Sequence, residues 1–213
     1  MTTSPIDPAR ASGPIDDSGL LRGALGLALL AMAGFGFVYP MLGVGLGQLL
    51  FADGANGSLL EREGRVLGSS LVAQPFAAEG YVQPRPSAAD YDAMAVSGSN
   101  EARSNPALRA RIDAARAAVA RRERVSPDAV PGDLVTQSGG GIDPHISPAA
   151  AAIQIDRVAA ARGLDAAIVR AEVEAHVEPR QFGVLGQPRV NVLRLNLALD
   201  ALQAGRGDAM PGR

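Results

Sequence analysis

Residues Gly23–Gly47 read GALGLALLAMAGFGFVYPMLGVGLG, 25 residues without a charge. Coiled as an α-helix at 1.5 Å per residue, the run is about 38 Å long, enough to cross a hydrocarbon core of roughly 30 Å with some tilt. A cleaved signal peptide has a basic start, an apolar stretch of about 7 to 15 residues and a small-residue cleavage site. Here the stretch is longer, and the residues before it carry Asp7, Asp16 and Asp17 beside only Arg10 and Arg22. A buried core helix is the other ordinary use of such a run. Length and flanks favour an uncleaved transmembrane anchor over residues 20–50. Arg22 is the basic residue abutting the span, so the N-terminus is expected in the cytoplasm and the rest of the chain outside, although Arg62 and Arg65 follow at some distance.

Working outward from the span, residues 1–19 are rich in Pro, Ser and Asp and read as a disordered tail. Residues 52–213 have the length of one soluble domain with one core. Within the span, Pro40 removes a backbone donor and is expected to kink the helix. Gly43 and Gly47 form a small-xxx-small pair, the spacing that lets two helices approach closely in lipid.

Composition excludes several classes. There is no Cys, hence no disulfide framework, thiolate metal site or cysteine nucleophile. Every basic residue is Arg, the net charge is −2, and Trp is absent, so neither a strong positive field nor stacking platforms argue for nucleic acid.

The domain reads as α+β weighted toward helix. Val66–Leu67 and Leu71–Val72, divided by Gly64 and Gly68, suggest short strands with tight turns. Pro84 and Pro86 hold 81–87 extended. Asn105 followed by Pro106 starts a helix that runs to about Val125 and carries six arginines, read as a solvated face more readily than a phosphate or lipid surface. Ser147 followed by Pro148 starts a second helix over 149–161 that ends at Gly163, and Asp165 caps a third through about His176. Leu193, Leu195, Leu197 and Leu199 alternate like a strand, but the length of 191–204 favours helix.

The densest text is 130–148, VPGDLVTQSGGGIDPHISP. Gln137, Ser138, Gly139, Gly140 and Gly141 could present amides to an anion, although neither GxxxxGK[ST] nor GxGxxG is matched. Ser138, His145 and Asp143 are the residue types of a nucleophilic triad, without the G-x-S-x-G elbow. The preferred reading is a structured turn: Gly for positive φ, Asp143 bonding its own backbone, and Ser147 capping the next helix. His145 and His176, the two histidines, lack H-E-x-x-H spacing, and no metal site is expected.

Taken together, these segments resemble the C subunit of Kdp-type potassium-transporting P-type ATPases. The likeness lies in the single span, GSLL at 57–60, GSSLVAQPF at 68–76, PRPSA at 84–88, SGSN at 97–100, the block at 131–162 and GQPRVNVLRLNLALD at 186–200. Departures are Ala73 for Gly, Gly140 for a second Ser, Gln187 for an acid, and a shortened tract near Glu101. The resemblance implies a non-catalytic subunit of an ATP-driven potassium importer in the bacterial inner membrane. Its partners would be a channel-like potassium-binding subunit, the P-type ATPase subunit and a small membrane peptide. It has no cofactor of its own, and ATP is met only through the ATPase subunit. The implied roles are raising that subunit's nucleotide affinity, with 137–141 as the contact, or covering the external ion mouth. A membrane-anchored hydrolase using Ser138 and His145 is the alternative.

Overall fold

The computed structural model describes residues 19–208, with side chains to Gly205. The tail expected over 1–19 lies, apart from Gly19, outside the described residues. The chain divides after Asn56 into two units.

In the first unit, α1 (Leu20–Ala33), a π-turn (Gly34–Val38) and α2 (Tyr39–Leu50) form one continuous helical run of 31 residues. None of its residues is buried by protein, as a lipid-facing helix requires. A kink is expected at Pro40; what the structure shows is the π-turn just ahead of it. Pro40 offers no N–H, and the preceding turn widens so that the Tyr39 amide reaches the Gly34 carbonyl. After Leu50 a single turn, α3 (Ala52–Ala55), follows, pinned by paired amide bonds of 3.1 Å between Gln48 and Asn56.

The second unit begins with a hairpin of β1 (Leu59–Arg62) and β2 (Arg65–Ser69). Glu63 and Gly64 both take positive φ, 54° and 74°, the two-residue turn whose twist matches antiparallel strands. Leu71–Val72 is a turn instead of the expected second strand piece: the Val72 amide bonds Ser69 O at 3.3 Å. Residues 70–105 contain no regular element. Then α4 (Pro106–Glu123) starts where Asn105 Oδ1 accepts from the Ala107 amide and stops at Arg124, φ 57°.

Two 3₁₀ turns, Pro127–Ala129 and Gly132–Leu134, lead to β3 (His145–Ile146). The helix expected over 149–161 is two: α5 (Pro148–Ala152), capped by Ser147, and α6 (Ile155–Arg162), ended by Gly163 at φ 63°. α7 (Ala166–Ala175) is capped by Asp165. β4 (Val177–Glu178), β5 (Arg189–Asn191) and α8 (Val192–Asp208) complete the order. The sheet order is β3-β5-β4, antiparallel throughout, with His145 opposite Asn191 and Val177 opposite Val190. Ile146, Ile155, Val158, Val169, Val190, Leu195 and Leu199 form the centre of the core. The architecture is one apolar N-terminal helix plus an α+β domain dominated by helices.

Across this core runs the extended strap Tyr81–Ser87. It joins no strand, so buried side-chain amides stand in for a neighbouring strand. Asn196 Oδ1 accepts from Val82 N at 2.8 Å while its Nδ2 donates to Val82 O at 2.9 Å. Gln154 does the same for Gln83, at 2.8 and 3.2 Å. Each amide thereby satisfies both polar groups of one residue, which burial otherwise makes costly. The break between α5 and α6 spans Ile153 and Gln154, and the Gln154 side chain reaches the strap from it.

Candidate functional site

The 137–141 turn is built against the strap. Ser138 N bonds Pro86 O at 3.3 Å, and Gln137 Nε2 reaches Ser87 O at 3.4 Å. Ser87 Oγ donates to Gly141 O and accepts from the amides of Ala89 and Tyr91. Of the three glycines, Gly141 alone has positive φ, 73°, and a Cβ there would lie 2.7 Å from Ser97 O. Gly98 meets Gly139 from the other side, its own Cβ position being 2.6 Å from Gly139 O. Close backbone approach therefore accounts for Gly141 and Gly98, while Gly139 and Gly140 are exposed.

Beside the turn, Asp143 gathers three donors. Its Oδ1 accepts the His145 amide at 3.0 Å and lies 3.4 Å from His145 Nδ1; its Oδ2 meets Arg85 at 3.0 Å. Burial pushes this carboxyl up, but the bonds from the His145 ring and amide and from Arg85 outweigh it and hold it below the usual carboxylate range. The expected Asx bond of Asp143 to its own backbone is present. The far face of His145 meets Asn191, whose Nδ2 lies 3.5 Å from Nε2 and donates to Ser70 O at 2.7 Å. Tyr91 donates to Arg85 O at 2.8 Å, and burial raises its phenol above the ordinary value, with Arg122 opposing.

Ser138 is brought close to the strap but not into a triad. It is 3 % exposed, and its Oγ makes no hydrogen bond among the described residues, as is also true of Gln137 Oε1. His145 spends its ring nitrogens on Asp143 and Asn191, so the nucleophile-to-base bond of a hydrolase is not formed. His176, at the C-terminal cap of α7, pairs with Glu172 at 3.3 Å. Among the described residues no three His, Asp or Glu side chains converge as a metal would require.

Two clefts flank these elements. One, about 470 Å³, is lined by Arg85, Asp133, Asp143, His145 and Arg189 among others. The larger, about 700 Å³, is lined by Arg121, Arg122, Arg124 and Arg157 with Glu79, Glu123 and Asp156. Its arginines are partly committed: the fully buried Glu123 carboxylate holds Arg122 at 2.6 Å and Arg157 at 2.8 Å. Arg157 also donates to Tyr81 O and Gln154. The expected solvated basic face is thus in part a structural ion-pair cluster.

On the span, Gly43 and Gly47 lie four residues apart on one face of α2. A Cβ on Gly43 would meet nothing within 4 Å, whereas one on Gly47 would touch Ala55 Cβ at 3.8 Å. Like the other glycines of the span, both positions would accept a Cβ within the chain's own packing, 3.8 Å being ordinary contact. The residues that sequence reasoning missed are Asn196, Gln154 and Asn191, which organise the strap and the His145 edge. The available signal was a polar amide set between apolar neighbours.

Comparison with known proteins gives one consistent result. The family described as KdpC, K+-transporting ATPase, c chain, matches residues 21–201. A potassium-transporting ATPase KdpC subunit from Xanthomonas oryzae pv. oryzae is 57% identical, with 93% of this chain and 94% of the relative covered. Proteins of the same description from Gemmatimonas aurantiaca and Shewanella putrefaciens are 52% and 49% identical, over 86% and 83% of this chain and 94% and 87% of theirs.

Proposed function

This chain belongs to the KdpC family, the c chains of K+-transporting ATPases, and we propose that it serves as a non-catalytic, membrane-anchored subunit of such a complex. In this reading the Leu20–Leu50 helix packs on the channel-like potassium-binding subunit. The P-type ATPase subunit, which alone handles ATP, and a small membrane peptide complete the assembly. The domain lies outside the bacterial inner membrane, where it stabilises the assembly at the external ion mouth. The observation that carries the proposal is family membership over 21–201, on a chain whose one serine candidate for nucleophile is buried without a base. The uncovered apolar helix, with Gly43 and Gly47 four residues apart, supports helix-to-helix docking.

The test of docking is Gly43→Leu in the full chain, expressed with its partners. Reduced co-purification is expected, and unchanged assembly would sink the proposed contact. Topology is read by a cysteine at an exposed site, since the chain contains none. Ser138 is too buried for that purpose, and Ser99 is exposed. Ser99→Cys should react with a membrane-impermeant maleimide on intact cells. Labelling only after the inner membrane is opened would place the domain inside and favour the alternative role, raising the ATPase subunit's nucleotide affinity through Gln137–Gly141.

A further inference from the structure

Between β4 and β5 the chain makes a small stapled tip. Gln181 and Leu185 exchange both backbone bonds at 2.9 Å, and the Gly183 amide bonds Arg180 O at 3.0 Å. The tip holds Phe182 at 85 %, Val184 at 71 % and Leu185 at 57 % exposure. Phe182 also has φ 54°, a left-handed backbone that disfavours a bulky side chain. A phenylalanine here thus costs local strain and contributes no core contact. Such an outlier on a structured turn points to recognition, and clustered exposed apolar side chains mark interaction sites.

We propose that the Phe182–Leu185 tip is an anchor that inserts into an apolar pocket on the extramembrane surface of another subunit of the same complex. The proposal rests on the complex-subunit reading above. Size and charge select the occupant. Even with roughly 200 Å² for the aromatic ring, three side chains fall well short of the about 800 Å² per partner that a stand-alone interface buries. A second copy or a freely diffusing protein is therefore not held by this tip. A partner already fixed in the same membrane needs only such an auxiliary contact, because tethering raises its local concentration. The rim suits protein: Arg189 is paired with Glu178 at 2.9 Å, and Arg180 donates to Gln187 at 2.8 Å. An anionic bilayer would find one arginine without an acidic partner, Arg180, and that one already hydrogen-bonded, whereas an aromatic anchor with a polar rim is the anatomy of a protein hot spot.

The experiment places the photo-reactive analogue p-benzoylphenylalanine at position 182 of the full chain, expressed with the other subunits. Irradiation is expected to give a covalent product with one of those subunits. A product with lipid, a product with a second copy of this chain, or no product would overturn the proposal. In parallel, Phe182→Asn keeps a residue that tolerates the left-handed turn. It should leave the thermal midpoint unchanged or higher while the subunit dissociates from the purified complex roughly thirtyfold faster, the effect of losing one hot-spot side chain. A lowered midpoint with unchanged dissociation would make the tip merely structural. Failure of the unaltered chain to co-purify with any ATPase subunit would instead defeat the complex-subunit reading, so the two failures are distinct.

Discussion

At Gly141 two constraints coincide: φ of 73° and a carbonyl, Ser97 O, within 2.7 Å of where a Cβ would stand. Gly141→Ala should therefore lower stability by ~1–3 kcal/mol, measured by denaturant unfolding of the detergent-solubilised chain. The same change at Gly139, which has no atom within 4 Å and no positive φ, should be close to neutral. Equal effects at both would contradict the packing described. Asp143 supplies a second test at this scale. Its carboxyl is held below the usual range, so the folded state binds its proton less readily than the unfolded state. The contribution is present above the ordinary carboxylate value of about 3.9 and is lost as pH falls through the lowered folded value. Thermal midpoints of the wild type should drop across that acid window more steeply than those of Asp143→Asn. Parallel curves would deny the His145 and Arg85 bonds their role.

Among elements, the helix starts at Asn105, Ser147 and Asp165 were legible because a short polar acceptor before an apolar run satisfies first-turn amides in a local, context-free way. The break at Gln154 was not. Gln is a good helix former, and its partner Gln83 is 71 residues away. The leucine alternation of 193–199 resolves as helix: Val192, Leu195, Asn196 and Leu199 are buried at three-and-four spacing, with Leu193 buried beside them and Leu197 only half-buried. Of the candidate site, the Asx turn and the cap at Ser147 were readable, whereas the burial of Ser138 depends on the distant strap. For the strap itself, Asn196→Ala should cost about 1–3 kcal/mol for each of the two Val82 groups left unpaired. A urea titration checks it, and a loss below about 0.5 kcal/mol would mean that the strap finds other partners.

For the whole molecule, the two units demand different solvents. The Leu20–Leu50 run is apolar and uncovered, while the second unit encloses its own core. The chain should stay with membranes through an alkaline carbonate wash and be released by detergent. Release by carbonate alone would make the helix a peripheral or core element. Anchor and domain were both legible in the sequence, since an uncharged run of membrane length and capped amphipathic segments are local signals. The pairing of strap and last helix is a long-range matter that no window of residues carries.

The clasp between Val82 and Asn196 has a bearing on how the protein is made. Its two halves are 114 residues apart, so at about 5–20 residues per second of synthesis the first half waits roughly 6–23 s for the second. Until then, water must hydrate the Val82 amide and carbonyl, and the nascent domain carries a polar strand that its core has no means of accepting. Biogenesis should consequently be all-or-none: a chain halted anywhere before Asn196 presents a protease-sensitive product, and closure of the domain falls among the last events of its synthesis.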